Sequence, residues 1–221
     1  MIKSVNLIGR GRVGSAFAAR LEERGVELRE DQADVVLLCV PDSAIASTAE
    51  RQTFALSQWV GHTSGATALA ALGLHERRFG LHPLQTFDRS GRPGQLDGAY
   101  AAITGETEEA RSVGRDLAAL LGLIPFDLAD DDRGLYHAAA AIASNYVVTL
   151  HRMASGLFEQ VGAPPAALEP LMRRVVDNGF QLTGPIERGD WATVDLHVEA
   201  LRKRAPHVEA LYRVLAEATA A

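Results

Sequence analysis

The sequence predicts an α/β fold in which a mostly parallel sheet is followed by an all-helical half. Three observations carry this expectation. A glycine-rich turn, Gly9-Arg10-Gly11-Arg12-Val13-Gly14, lies between an apolar strand and an amphipathic helix. The run Val35 to Val40 is continuously apolar and β-rich, as strands covered on both faces of a parallel sheet are. Beyond Asp130-Asp131-Asp132 the strand signals stop and Ala-rich helical periodicity takes over. Together they describe a Rossmann-like N-terminal domain over residues 1–130, shortened after its second strand, and an all-α C-terminal domain over 131–221.

Val5 to Gly9 reads as the first, buried strand. Val13 to Arg24 carries Val13, Phe17 and Leu21 on one helical face and is stopped by Gly25. Val26 to Arg29 forms a short second strand and Val35 to Val40 the third. Asp42 or Ser43 is placed to cap a short helix after Pro41. Gln58 to His62, Phe79 to His82, Ala99 to Ile103 and Ile124 to Leu128 supply further strands, with a helix from Glu106 to Leu121 ended by Gly122. Thr86 to Gly98, rich in Gly and Pro, reads as a long disordered or flap-like loop. Leu135 to Val161 then reads as one long helix, followed by helices over Ala166 to Asn178, Trp191 to Arg204 and Pro206 to Ala218.

Composition narrows the partners. The 221 residues carry 28 Asp and Glu against 22 Lys and Arg, so the basic surplus that neutralises nucleic-acid phosphates is missing and nucleic acid is excluded as the expected partner. Cys39 is the single cysteine, which rules out an internal disulfide and suits a reducing compartment. The N-terminus runs straight into a strand with no leader pattern. The longest apolar stretch, Ala138 to Leu150, is shorter than the roughly 20 residues that span a bilayer. A cytoplasmic protein without a membrane partner is expected. No His, Cys and acidic cluster has metal-ligand spacing, and no Gly-x-Ser-x-Gly elbow supports a hydrolase.

The glycine turn is the strongest local signal. Gly9 permits the tight turn, Gly11 lets a pyrophosphate approach the backbone, and Gly14 lets the helix pack on the strand, while the free helix amides face the anion. Arg10, Arg12 and Val13 border the same spot and are expected to contact the cofactor. The ribose reader belongs at the end of the second strand, where Glu27, Arg29, Glu30 and Asp31 compete. Arg29 and Arg10 favour the 2′-phosphate of NADP, with NAD the alternative. Too few residues separate Arg29 from Val35 for the usual crossover helix.

Taken in order, Gly9 to Gly14, Val40-Pro41-Asp42, His62-Thr63-Ser64-Gly65, Gly80-Leu81-His82-Pro83-Leu84, Tyr136-His137 with Ser144-Asn145, and Leu182-Thr183-Gly184-Pro185 with Arg188-Gly189-Asp190 resemble one family along nearly the whole chain. It is the Rossmann-like family whose C-terminal half is a helical domain of unknown function, within the 6-phosphogluconate dehydrogenase-like superfamily. Its nearest named activity is an alternative ketopantoate reductase. The resemblance implies a cofactor across the ends of the first and third strands, bordered by Val40 and Pro41, and a substrate pocket between the two halves. Related β-hydroxyacid dehydrogenases and ketopantoate reductases place a lysine one helical turn before an asparagine. Asn145 matches the asparagine, but position 141 is alanine, and the only lysines are Lys3 and Lys203.

A carbonyl reductase without that lysine needs another acid, for which histidine is the natural choice. His62 and His82 end strands, where open α/β sheets bind ligands, and His137 opens the long helix. Heptad spacing places His137, Ser144 and His151 near one helical face, with Asn145 beside them. The expected catalytic set is His137, Asn145 and His82, with a rate that falls as pH rises through the histidine range. Burial would make the Asn145 amide costly on so apolar a helix, which argues for a purpose. Ser64 and Arg188 are the substrate candidates, with Arg89 and Arg92 as alternative carboxylate holders, and Ser64 is equally suited to cap a turn. The leading reading is an NAD(P)-dependent oxidoreductase of a small carboxylate-bearing carbonyl or alcohol. A dinucleotide sensor or carrier is the alternative, and a prephenate dehydrogenase-like enzyme the third. The Leu135 to Val161 helix is apolar around much of its circumference, which predicts a homodimer.

Overall fold

The structure, a computed structural model, describes residues 2–220. Strand β1 (Ser4–Ile8) passes through the glycine turn into α1 (Arg12–Glu23) and β2 (Glu27–Leu28). With no intervening helix the chain then enters β3 (Val35–Leu38), followed by α2 (Ile45–Arg51), β4 (Trp59–His62), β5 (Arg78–Leu84), β6 (Tyr100–Gly105), α3 (Glu108–Leu121) and β7 (Ile124–Asp127). Helices α4 (Arg133–Ala141), α5 (Val147–Gln160), α6 (Leu168–Asp177), α7 (Trp191–Arg204) and α8 (Pro206–Ala220) complete the chain. The seven strands form one sheet in the order β2-β1-β3-β4-β5-β6-β7. All neighbours are parallel except β5 and β6. The expected Rossmann-like, mostly parallel sheet with a helical C-terminal part is the fold observed.

Because β2 and β3 flank β1 on opposite sides, the chain reverses direction of travel across the sheet at β1. Such switch points are where open α/β sheets leave a crevice beyond the carboxyl ends of their strands. The shortened crossing over residues 29–34 is clamped rather than slack. The Asp34 carboxylate accepts from the Lys3 and Ser4 amides at 2.8 and 3.0 Å, and Ser4 Oγ accepts from the Asp34 amide at 3.0 Å.

Strand alternation divides the core. Val35, Leu37 and Cys39 join Phe17, Leu21, Phe79, Leu81 and Leu117 on the side of α1 and α3. Val36 and Leu38 join Val60, Ile45 and Leu72 on the side of α2. A strand that fills two cores must be apolar at every position, which is why this run shows no alternation in sequence.

Several local expectations are corrected. Neither Asp42 nor Ser43 caps α2, which has no side-chain cap; Asp42 opens a 3-10 turn over Asp42–Ala44 instead. Thr86 to Gly98 is neither disordered nor a free flap. Leu96 is fully buried, and the buried Arg20 ties the segment to α1 through Pro93 O at 2.9 Å and Asp97 at 2.8 Å. The long helix expected over Leu135 to Val161 is interrupted by a π-turn at Ile142–Tyr146, which breaks the 3.6-residue period on which the heptad reading of His137, Ser144 and His151 relied.

The chain divides into two compact units between Ser144 and Asn145, beyond the boundary expected near residue 130. The strands do end at Asp127, but α4 stays with the sheet because Arg133 is buried and hydrogen-bonded to Ser64 O. In the second unit α7 and α8 pack around Leu201, Ala205 and Val208, with Met153 and Leu157 of α5 against them. Among the described residues no helix is long and apolar enough to cross a membrane.

Candidate functional site

The glycine turn is built as a cradle. Gly9 has φ +103°, and a Cβ there would lie 2.5 Å from Cys39 O, so both its conformation and its surroundings exclude a side chain. A Cβ on Gly14 would overlap the Gly9 carbonyl oxygen and come within 3.2 Å of Cys39 Cβ. Gly11 differs: nothing lies within 4 Å of the place its Cβ would take. It is the N-cap of α1 and supplies no side-chain cap, leaving the first amides of a twelve-residue helix available to an anion. The residues present therefore fit a dinucleotide pyrophosphate.

Arg10 and Arg12 are exposed beside this turn, and Arg12 Nη1 donates to Phe87 O over a long 3.5 Å. Val13 points its side chain into the core, so only its backbone serves the turn. Val40 packs beside Gly9 and Pro41 is exposed, bordering the crevice between β1 and β3. Beyond it lies an open groove of about 550 Å³ lined by Asn6, Ile8, Arg10, Leu28, Arg29, Glu30, Asp31 and Gln52. Arg29 is ion-paired with Glu27 at 3.4 Å, which reduces the charge it can offer a phosphate.

The second cluster lies toward the carboxyl ends of β4 and β5. His62, Gly80 and His82 share the sheet face of Val60, since His62 pairs with Gly80 in register and side chains alternate along each strand. His82 Nδ1 is 2.7 Å from the Tyr136 hydroxyl, and its ring meets the His137 ring edge to face with centroids 5.8 Å apart. Gly65 makes room for this contact: a Cβ there would lie 2.6 Å from His137 Cδ2 and 2.9 Å from His82 Nε2. Burial, with the neighbouring His137 and Arg133 adding to it, pushes the His82 imidazole down to about 4. Burial pushes the Tyr136 hydroxyl up to about 12. Both shifts favour a neutral pair in which Tyr136 donates to Nδ1. The remaining His82 proton then sits on Nε2, beside Gly65 and His137.

The structure thus unites two of the three expected catalytic residues, His82 and His137. Asn145 is not brought to them within either unit: it is exposed in the π-turn as the first residue of the second unit. The burial cost that argued for its purpose is absent. Ser64 is buried, and its hydroxyl accepts from the Ala66 and Thr67 amides at 3.2 and 2.9 Å, a turn-capping role that leaves it no free approach to a substrate. Arg188 lies in the second unit, where Nη1 donates to Thr183 O at 2.6 Å. Arg92 bonds within its own loop to Ser90. His62 is fully buried, and burial lowers its imidazole to about 3. Tyr136 and Arg133 join the site as working groups only in the fold, through His82 and Ser64. For Arg133 the only local signal is the three-residue spacing from Asp130 at a helix start.

Fold and turn together define a Rossmann-like α/β protein with a helical C-terminal part. A family profile described as a domain of unknown function, DUF2520, matches residues 99–219, and the chain belongs to this family. The matched stretch holds Arg133, Tyr136 and His137, whereas the glycine turn and His82 precede it. No curated protein matches the chain. Among solved structures it is similar to a candidate NADP oxidoreductase from Bacteroides fragilis, at 19% identity and TM-score 0.82 over 99% of this chain and 98% of that one. A protein from Thermotoga maritima is similar at 23% identity and TM-score 0.79, over 96% and 95%. An NADH-preferring ketol-acid reductoisomerase from an uncultured archaeon is similar at 15% identity and TM-score 0.65, over 99% and 82%. At these identities the likeness is one of fold.

Proposed function

We propose that the chain is an NAD(P)-dependent oxidoreductase acting on a small carboxylate-bearing carbonyl or alcohol, with a keto acid of the ketopantoate type the first substrate to test. The observation that carries this reading is the pairing of a sterically compelled phosphate cradle at Gly9 to Gly14 with the His82, Tyr136 and His137 cluster toward the carboxyl ends of the same sheet. The bound nicotinamide supplies or accepts the hydride. In this chain the glycine turn holds the pyrophosphate, and Val40 and Pro41 border the crevice. The Nε2–H of neutral His82 donates to the substrate oxygen, and His137 is the group that moves the proton. The test is cofactor oxidation over a panel of keto acids. Turnover of at least one is the expected result. Tight dinucleotide binding with no turnover would favour the sensor or carrier reading, to which alanine at position 141 lends support.

NADP is the cofactor assigned first and NAD second, on the strength of Arg10, which makes no ion pair among the described residues, and of Arg29. Glu30 and Asp31 line the same groove and oppose a 2′-phosphate. Calorimetry is expected to find NADP the tighter ligand, and Asp31→Asn is expected to improve NADP binding about 3- to 10-fold by removing one repulsive charge. No heat from either cofactor removes the dinucleotide reading, while tighter NAD binding removes only the phosphate preference.

A homodimer and a cytoplasmic setting belong to the same proposal. None of the α5 residues is buried, and Leu171, Val176 and Phe180 are 61, 59 and 71% exposed. Apolar area on this scale calls for a cover, and a second copy of the helical unit supplies a matching one. Sedimentation at roughly tens of micromolar is expected to give twice the chain mass. A monomer there would overturn the dimer.

A further inference from the structure

The side chain of Arg133 is 1% exposed, a charge that belongs in water unless something holds it. Its Nε pairs with Asp130 Oδ1 at 3.0 Å, and its Nη1 donates to Ser64 O at 2.9 Å. Asp130 is held in turn, with both carboxylate oxygens 3.1 Å from the Leu69 amide. The third nitrogen, Nη2, is buried with no hydrogen-bond partner. It lies against Gly80, where a Cβ would overlap it, one strand from the fully buried His62. A guanidinium placed so costs more than an apolar residue of the same shape. One face of it clamps the Ser64–Gly65 turn to the start of α4, and the other lies among the histidines.

We infer that Arg133 is the positioning residue of this site: it sets Tyr136 and His137 against His82 through the Ser64 clamp, and its charge excludes a second positive charge from His82 and His62. The clamp argument is geometric. Tyr136 and His137 follow Arg133 by three and four residues, one turn along α4, and Gly65, which lies between the two histidine rings, follows the residue whose carbonyl Arg133 holds. Burial is the larger cause at both histidines, and the Arg133 charge adds to it, because a fixed cation in a low-dielectric interior opposes protonation nearby. The charged and titratable groups facing His82 are His137, Arg133, Tyr136 and Asp42, and only Asp42 pulls toward protonation. His62 faces Arg133 and His82. The consequence is a site that works with neutral imidazole as a hydrogen-bond donor. This role rests on the oxidoreductase reading, but its test does not.

The experiment is histidine titration by NMR on the intact chain, without cofactor or substrate. In Arg133→Met the His82 and His62 midpoints are expected to rise by about one unit or more, the scale of one lost buried charge. Arg133→Lys, which keeps the charge, is expected to hold both near their wild-type positions. Should the methionine variant fail to fold, Asp130→Asn serves: it keeps an acceptor for Leu69 N but unmasks the guanidinium, so both midpoints are expected to fall. An unchanged His82 midpoint in Arg133→Met, or in Asp130→Asn where only that variant folds, would overturn the inference. Shifted midpoints in a protein that turns over no keto acid would refute the proposed activity and leave the role of Arg133 standing.

Discussion

Gly14→Val is expected to lower dinucleotide affinity by about 100-fold or more. The added side chain meets backbone on one side, at the Gly9 carbonyl, and the Cys39 side chain on the other, so the turn itself must open to admit it. Calorimetry measures the loss, and thermal unfolding reports how much of it is structural. Gly11→Ala separates the two contributions. Its methyl group enters open space, so stability is expected to change little, while the approach of a phosphate to the helix amides is obstructed and affinity falls about 10-fold. If Gly11→Ala binds as tightly as the parent chain, the pyrophosphate does not lie at this turn.

The second large effect is on turnover. His137→Ala and His82→Ala are each expected to reduce kcat by about 10²- to 10⁴-fold with cofactor affinity nearly unchanged, the usual scale for a proton-transfer group. Tyr136→Phe, which removes the partner of His82 Nδ1 but not its ring contact, is expected to cost about 10-fold. Asn145→Ala, at an exposed position of the second unit, is expected to have a smaller effect than either histidine. The pH profile carries the sign. A His82 that titrates at about 4 rather than 6.5 is neutral throughout the neutral range, so its hydrogen-bonding role should be lost only as acid pH approaches 4 and Nδ1 becomes protonated. For His82 alone this revises the sequence-based expectation of a rate that falls as pH rises through the histidine range. A kcat that falls as pH rises through 6.5, and that keeps this limb in the His137 variant, would show His82 working as a cation and overturn the neutral-imidazole reading.

Much of the fold was legible because its determinants are local. The order of the elements in the sheet domain follows from apolar period, glycine stops and the strand-turn-helix context of Gly9 to Gly14. The missing crossover helix was legible for the same reason, since chain length alone forbids it between Arg29 and Val35. The π-turn at Ile142–Tyr146 was not, because Ile-Ala-Ser-Asn-Tyr satisfies an ordinary helical pattern and the extra residue shows only in the backbone. Nor was the order in Thr86 to Gly98, where Gly and Pro signal a loop but only the distant Arg20 shows that the loop is held.

The sequence by itself determined the sheet, the phosphate cradle and the histidines as candidates, for each depends on residue type and near-neighbour spacing. The tertiary structure alone decided which candidates meet. His82 and Tyr136 are 54 residues apart and hydrogen-bonded, and Arg133 reaches across 69 residues to Ser64. Tertiary contact also decided the charge of His82, because burial, with His137 and the Arg133 guanidinium beside it, and not the identity of the residue, displaces its titration from 6.5 to about 4. A side chain's chemistry is written in the sequence, whereas its proton affinity is set by solvent exclusion and by charges that only the folded chain brings near.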